Sequence, residues 1–480
     1  MDRARNVSGN YIMQLVYQII VNMAVPVVTI FWLTRKLGAD SMGTFNYLAS
    51  WSSYFVLFAT LGTSQYGQRE IAFRQNDRKA YSKVFFSVQS IRMILSSAFV
   101  VLWLLFSYFF NADKTILLIL TLNLINVMLD ISWFYIGLEE FSLVIKRSIA
   151  VRLVYTASIF LFIKGPEDLI AYVLIEVGFF ALVSLSLWPG VLRRIDKTGS
   201  DGLLRHIKGA FLLFLPALSL QLYSLIDKTM IGLFSVGGYS ENAYYELTQN
   251  MIKAGLFFSY TLSTVMLPRI SSTISEGNEL GMVKHIERSY NFTFLTILPI
   301  AVILFSISSR IVPIFFGSGF DSIIVLARML CPVLVAIALS IVTGQLYFVP
   351  ANHVGKYTLT LVFGSVLNIV LNAILIPRYL SKGAVFASVI SEWAITIFQF
   401  ILVSRLAQMR IRSILSMFFS YGIASLIMAL FYYVSSRFFS NSIFAVIAMV
   451  LAGLLVYFTA LFLMKDRYVR FLFHKVRSRL

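Results

Sequence analysis

The chain has 480 residues, of which 59% are hydrophobic, 15% aromatic and only 13% charged. A soluble domain carries roughly 25% charged residues, because a water-facing surface has to be solvated, so this composition excludes a chain of soluble domains and leaves lipid as the solvent. The net charge of +18 would raise nucleic acid as a partner, but the Lys and Arg residues sit mainly in short connections between apolar runs, which argues against it.

In chain order, residues 1–10 lead directly into a long apolar run with no small-residue cleavage site, which predicts a first transmembrane helix rather than a signal peptide. Apolar runs long enough to cross a bilayer predict an all-α membrane protein of about fourteen helices. They lie near 10–33, 41–62, 84–110, 115–137, 142–163, 168–188, 208–234, 242–265, 290–315, 322–348, 355–376, 384–404, 413–435 and 442–463. The longest hydrophilic connections are 65–83 and 268–288, and 189–207 reads as a linker between halves. The predicted organisation is an N-terminal lobe (1–190), a cytoplasmic linker (191–207), a C-terminal lobe (208–404), two extra helices (405–464) and a basic amphipathic tail (465–480). If the termini share one side, that side holds roughly 27 of the 40 Lys and Arg residues and the other about nine, which predicts both termini in the cytoplasm.

An internal repeat supports two lobes. Thr60-Leu61-Gly62-Thr63 closes the second run, and Thr261-Leu262-Ser263-Thr264 closes the eighth, each followed by one of the long basic connections. A six-helix unit repeated in parallel, with two added helices, fits this spacing, as in transporters whose halves rock about a central site.

Polar residues at membrane depth are costly unless they face protein or water. Asn10, Gln14, Gln18 and Asn22 form one polar face of the first run, which suits either a wet interior or interhelical hydrogen bonding. The seventh run carries Gln221, Ser224, Asp227 and Lys228, and the eighth carries Glu246, Gln249, Asn250 and Lys253 at helical spacing. These are either structural ion pairs, Asp227 with Lys253 or Glu246 with Lys228, or the wall of a hydrophilic chamber whose cations meet an anionic substrate. Arg92 and Arg152 also fall inside runs. Glu139 and Glu140 are placed to pair with Lys146 and Arg147, whereas Glu176 and Glu392 lie deeper and need a partner or a proton. Nothing supports catalysis: the four His residues have no metal-ligand spacing, and no phosphate-cradling loop is present. The single Cys331 reads as a small core hydrophobe.

The stretch Asp130-Ile131-Ser132-Trp133-Phe134-Tyr135-Ile136-Gly137-Leu138-Glu139 resembles a motif of the Wzx-type polysaccharide repeat-unit flippases. So do Ile226-Asp227-Lys228-Thr229-Met230-Ile231-Gly232, Val265-Met266-Leu267-Pro268-Arg269-Ile270-Ser271 and Gly344-Gln345-Leu346-Tyr347-Phe348-Val349-Pro350 with Lys356-Tyr357-Thr358 and Leu375-Ile376-Pro377-Arg378. Leu37-Gly38 and the stretch from Ala59 through Tyr66-Gly67-Gln68-Arg69-Glu70-Ile71-Ala72 complete the resemblance, which reaches from about residue 10 to 400.

The resemblance implies a member of the multidrug/oligosaccharidyl-lipid/polysaccharide (MOP) exporter superfamily, with two six-helix lobes and alternating access. It implies a flippase in a bacterial cytoplasmic membrane, carrying an undecaprenyl-diphosphate-linked repeat unit of a surface polymer (O-antigen, capsule or teichoic acid) to the outer leaflet. Partners would be that lipid-linked oligosaccharide, membrane lipids, and the polymerase and glycosyltransferases of glycan assembly; no cofactor is expected, and a Na⁺ or H⁺ gradient would drive transport. The expected headgroup cations are Lys228, Lys253, Arg69 and Arg269, with Arg147 and Arg152 as weaker candidates. Arg69 and Arg269 equally suit the positive-inside bias alone. Gln14, Gln18, Gln221, Gln249 and Asn250 would meet sugar hydroxyls, and Asp130, Asp227 and Glu246 would couple an ion or balance the lysines. Two rival readings are a drug antiporter of the same superfamily, which would want a negatively charged chamber, and a non-transporting scaffold, which would tolerate neutral Lys228 and Lys253.

Overall fold

The computed structural model describes residues 21, 24–196, 199–406, 411–438, 442–466 and 468–470. Asn10, Gln14, Gln18, Asn22 and most of the basic tail lie outside these residues. Among the described residues the chain is helical, with no strand. Eight segments are long and apolar enough to cross a membrane: Arg78–Phe109, Lys114–Gly137, Pro166–Val191, Glu279–Phe316, Ser322–Phe348, Val354–Arg405, Arg412–Ser435 and Ile443–Leu463. The chain divides into two compact units, 1–243 and 244–480.

The first unit contains α1 (Val25–Thr60), α2 (Thr63–Phe73), α3 (Arg78–Phe109), α4 (Lys114–Leu129), α5 (Ser132–Gly137), α6 (Phe141–Phe162), α7 (Leu169–Val191) and α8 (Leu203–Phe234). Local chemistry starts and stops these helices. Asp77 and Asp113 accept the free N–H groups of Ala80 and of Thr115 and Ile116. Gly38 takes a positive φ of 76° inside α1 and bends it, a conformation that costs a side-chain residue but not glycine. The 65–83 connection, read from sequence as a hydrophilic loop, is mostly helix, because α2 and the first turn of α3 lie in it. The predicted fourth span is broken at Asp130-Ile131, between α4 and α5.

The core of this unit gathers Tyr66, Ile71, Tyr81, Phe85, Ile131, Trp133, Phe134, Tyr135, Leu187 and Val191. Trp133 stacks on Phe85 at 5.7 Å and lies so close to Gly67 that a Cβ there would meet its ring at 2.5 Å. The motif residues of α2 and α5 are thus an aromatic knot first and foremost. The linker after α7 is docked on α3: the Ser82 and Ser87 hydroxyls accept the Asp196 and Asp201 N–H groups at 3.0 and 2.8 Å. Arg78 pairs with Asp196 at 2.9 Å, and the Tyr81 hydroxyl donates to the Arg194 carbonyl.

α9 (Ser240–Gly255) crosses the boundary between the units. The second unit continues with α10 (Phe257–Ser275), α11 (Glu279–Phe316), α12 (Ser322–Thr343), α13 (Val354–Leu406), α14 (Ile411–Ser435) and α15 (Ile443–Leu463). The 268–288 connection, also read as a loop, is likewise largely helix. α12 is the most buried of the eight apolar segments and runs on as a wider turn, Gly344–Phe348. α13 folds back on itself at Leu380 (φ 49°), where Gly383 sits against the Leu375 carbonyl with no room for a Cβ.

Candidate functional site

In the first unit the structure settles what several charged residues do. Arg92 is 1% exposed, in the middle of α3. Its Nε and Nη2 donate to the Val127 carbonyl at 3.1 and 2.8 Å, and its Nη1 donates to the hydroxyls of Thr63 and Ser64 at 3.2 and 2.6 Å. Nη2 also pairs with Asp130 at 3.3 Å. The other Asp130 oxygen accepts the Ser132 N–H at 3.0 Å, capping α5. A guanidinium in an apolar span is tolerated because all its donors are placed on acceptors. Asp130, expected to couple an ion, therefore closes a helix break and neutralises Arg92.

Arg69 lies beside Glu70 at 3.3 Å and over the Tyr66 ring, while Arg74 takes the other Glu70 oxygen at 2.5 Å. Glu140 pairs with Arg194 at 2.8 Å rather than with Lys146 or Arg147, which corrects the expected pairing. The reason is geometric: α5 ends against α7, so the residue one turn beyond α7 reaches Glu140 first. Arg147 has a buried Nη1 with no hydrogen-bond partner among the described residues. Arg152 lies over the rings of Tyr155 and Phe180 at 4.7 and 5.4 Å.

On α8, Asp227 is buried and Lys228 half-buried, whereas Gln221 is exposed. Thr229 shares hydroxyl contacts with Ser50 at 3.0 Å and Tyr54 at 3.1 Å. With its amide turned to satisfy both groups, Asn242 donates to the Lys228 carbonyl and accepts from the Gly232 N–H. The Asp227-Lys228 motif thus sits on a helix locked to α1, and Gly232 packs against the Tyr47 ring.

In the second unit, Glu246, Gln249, Asn250 and Lys253 lie on one face of α9, as their i, i+3, i+4, i+7 spacing requires. Gln249 donates to the Tyr245 hydroxyl at 2.8 Å, and that hydroxyl lies 3.5 Å from Ser388. Lys253 is exposed and makes no ion pair among the described residues; Arg269 is exposed on α10, just after Pro268. Ser263 donates to Gln345 at 2.7 Å, tying α10 to the wider turn. Thr360 and Gln399, and Asn368 and Asn372, pair inside α13 as a buried polar seam.

Sequence reading singled out Glu176 but could not name its partner, which is the Tyr155 hydroxyl at 2.5 Å. It also missed His206 as anything more than a loop residue. His206 is buried in the first turn of α8, with Nδ1 2.9 Å from the Tyr66 hydroxyl, and burial holds its imidazole below the usual histidine range. Its only sequence signal is a polar residue at the edge of an apolar run.

This fold is shared with solved exporters. The structure of the lipid II flippase MurJ in its inward closed conformation matches with a TM-score of 0.76 at 15% identity, covering 95% of this chain and 99% of that one. An inward-facing MATE-family multidrug resistance transporter of the MOP superfamily matches with a TM-score of 0.64 at 15% identity, covering 85% and 99%. A MOP-superfamily transporter from Pyrococcus furiosus gives 0.55 at 16% identity, covering 85% and 95%. These likenesses define the class: a multi-pass membrane protein with the MurJ/MATE exporter fold. The polysaccharide biosynthesis protein family model matches residues 8–274, and that of the lipid II flippase MurJ matches 169–455. A curated relative from Escherichia coli (strain K12), provisionally named an O-antigen transporter, is 21% identical over 397 residues, 78% of this chain and 91% of that protein. The chain belongs to the polysaccharide biosynthesis protein family and also matches the lipid II flippase MurJ family model over more than half of its length, which makes it a transporter rather than an enzyme.

Proposed function

We propose that the chain flips an undecaprenyl-diphosphate-linked oligosaccharide, the repeat unit of a surface polysaccharide, from the cytoplasmic to the outer leaflet of a bacterial cytoplasmic membrane. In this reading it has fourteen spans with both termini cytoplasmic, works by alternating access, uses a Na⁺ or H⁺ gradient, and hands its substrate to a polymerase. The observation that carries it is the pair of family matches, which together run through residues 8–455. The side chains agree with it. A diphosphate needs cations at membrane depth, and Lys228 and Lys253 each stand on a helix that also bears amides and carboxylates. Gln221, Gln249 and Asn250 would meet sugar hydroxyls, with Arg69, Arg147, Arg152 and Arg269 as further cations, and Asp227 and Glu246 balancing the lysines. Asp130 is the weakest of the coupling candidates, since Arg92 and the Ser132 N–H already engage it.

The test uses proteoliposomes loaded with a lipid-diphosphate oligosaccharide and follows glycan exposure on the far side. Wild type is expected to expose it, and Lys228→Ala/Lys253→Ala to lose at least tenfold in rate, about 1.4 kcal/mol of headgroup binding. Wild type indistinguishable from empty liposomes, across several glycans and imposed gradients, would overturn the reading and favour an antiporter or a scaffold.

A further inference from the structure

We propose that the first turns of α1 and the turn after α6 form a binding site for a resident membrane phospholipid with an anionic phosphodiester headgroup, held by Lys36 and Lys164 around the Trp32 ring. The site lies within the first unit, apart from the residues assigned above to the transported substrate, and does not depend on what the chain carries. Trp32 joins its two sides. The indole Nε1 donates to the Ile163 carbonyl at 2.9 Å and the ring meets Phe160 at 4.8 Å, so this side chain ties α1 to the C-terminal end of α6. Two ammonium groups then converge on the same indole: Lys36 Nζ, one turn further along α1, lies 5.0 Å from its centroid, and Lys164 Nζ, just past the end of α6, lies 5.6 Å from it. Arg35 adds a third cation, 3.7 Å over the Phe31 ring with its Nη1 on the Phe31 carbonyl.

Like charges gathered at one ring repel each other, and an anion between them reverses that cost. No carboxylate of the chain supplies it: among the described residues neither Lys36 nor Lys164 takes part in an ion pair. The acids nearby in the chain are engaged otherwise. Asp168 accepts the Lys164 and Gly165 N–H groups at 2.7 and 3.1 Å, Asp40 accepts the Tyr239 N–H at 2.7 Å, and the Glu167 carboxylate lies against Gly165. The Lys164 ammonium uses one of its three donors on the Phe160 carbonyl at 2.6 Å, which leaves two for a ligand. The positive-inside bias does not account for the cluster either. In the proposed topology this end of α1 is on the outer side, which holds only about nine of the 40 Lys and Arg residues.

The surface beside the cations says what kind of anion fits. Val27, Val28 and Phe31 of α1 and Leu161 and Phe162 of α6 are all exposed. Val28, Phe31 and Arg35 follow at helical spacing, so one face of α1 passes from apolar to cationic within two turns. Acyl chains can lie along these apolar side chains while the phosphate sits at the lysines, at the level where an aromatic such as Trp32 marks the headgroup region. A water-soluble phosphate would match the lysines alone and leave the apolar face bare, so the occupant is a lipid. A zwitterionic headgroup would bring its own ammonium to two others, whereas a phosphatidylglycerol-type headgroup brings only the phosphate charge to charge-assisted bonds.

The test follows the fluorescence of Trp32, taken as the signal that Trp32→Phe removes, in the full chain reconstituted in phosphatidylcholine vesicles. Phospholipids brominated on their acyl chains quench a tryptophan they touch. Brominated phosphatidylglycerol is expected to quench Trp32 at a mole fraction roughly tenfold lower than brominated phosphatidylcholine. Lys36→Gln and Lys164→Gln should each reduce that preference about fivefold, and the double variant should abolish it. The charge-keeping pair Lys36→Arg/Lys164→Arg should retain it, and the single variants serve if the double one does not fold. If Trp32→Phe does not fold, the phosphatidylglycerol that stays with the purified protein in mass spectrometry reads the same preference in the lysine variants. Equal quenching by the two lipids in wild type, a preference that survives in the double Gln variant, or its loss in the Arg pair overturns the site. Inorganic phosphate, compared with chloride at matched ionic strength, should leave the preference in place; displacement of phosphatidylglycerol by phosphate alone would mark a site for free anions and overturn the lipid assignment.

Discussion

Replacing Arg92 with Met removes the centre of a network that joins three helices of the first unit. Met fills much of the same volume, so the loss is mainly polar. The Val127 carbonyl loses two donors, the Thr63 and Ser64 hydroxyls lose one each, and Asp130 loses its counter-charge. Removing one partner of a buried ion pair costs about 3–5 kcal/mol. The Asp130 side chain is 32% exposed and partly solvated, which lowers the expectation to about 2–4 kcal/mol. For a unit of 243 residues this corresponds to a fall in Tm on the order of 6 °C, read by thermal unfolding in detergent. Asp130→Asn separates the contributions: the double variant should recover about 1 kcal/mol relative to Arg92→Met, because no unpaired charge remains. A loss under about 0.5 kcal/mol in Arg92→Met, or no coupling between the two sites, would refute the assignment of Arg92 as the lock of this unit.

Gly67→Ala is expected to cost about 1–3 kcal/mol, since its Cβ would meet the Trp133 ring at 2.5 Å; a Trp133→Leu partner substitution should restore most of the loss in the same unfolding assay. His206 has its imidazole lowered from 6.5 by burial, so the unfolded chain binds the proton more readily. Stability of the first unit should therefore be complete above about pH 6.5 and fall as the pH drops below it, with His206→Gln flattening the slope. Tyr66→Phe, which removes the hydroxyl against His206 Nδ1, should cost about 1 kcal/mol at neutral pH. Asp196→Ala should loosen the linker from α3, seen as faster amide exchange at residues 192–202, since it removes the pair with Arg78.

The membrane class, the helical content and the placing of most helices were legible because apolar length is a local property: each run declares its preference for lipid without reference to the others. The family motifs were legible too, as strings. Their meaning was not. Asp130 and Lys228 attract a functional reading because a charge inside an apolar run is costly wherever it lies, but only the packing shows that Asp130 answers Arg92, 38 residues away. Tyr155 gives no signal at all until α6 and α7 lie together, for an aromatic in a membrane helix is ordinary. The hydrophilic stretches 65–83 and 268–288 passed for loops because polarity alone does not separate a loop from a short interfacial helix.

By itself, then, the sequence determined that this chain lives in lipid, where its basic connections and polar helix faces lie along the chain, and which family it belongs to. Tertiary structure alone decided which charges are already engaged and which stay available. The partners of Arg92, Glu140, Glu176 and His206 are set by how helices far apart in the chain come to touch. A buried polar group must find its partner in three dimensions, and no periodicity along one helix encodes which residue of another will face it.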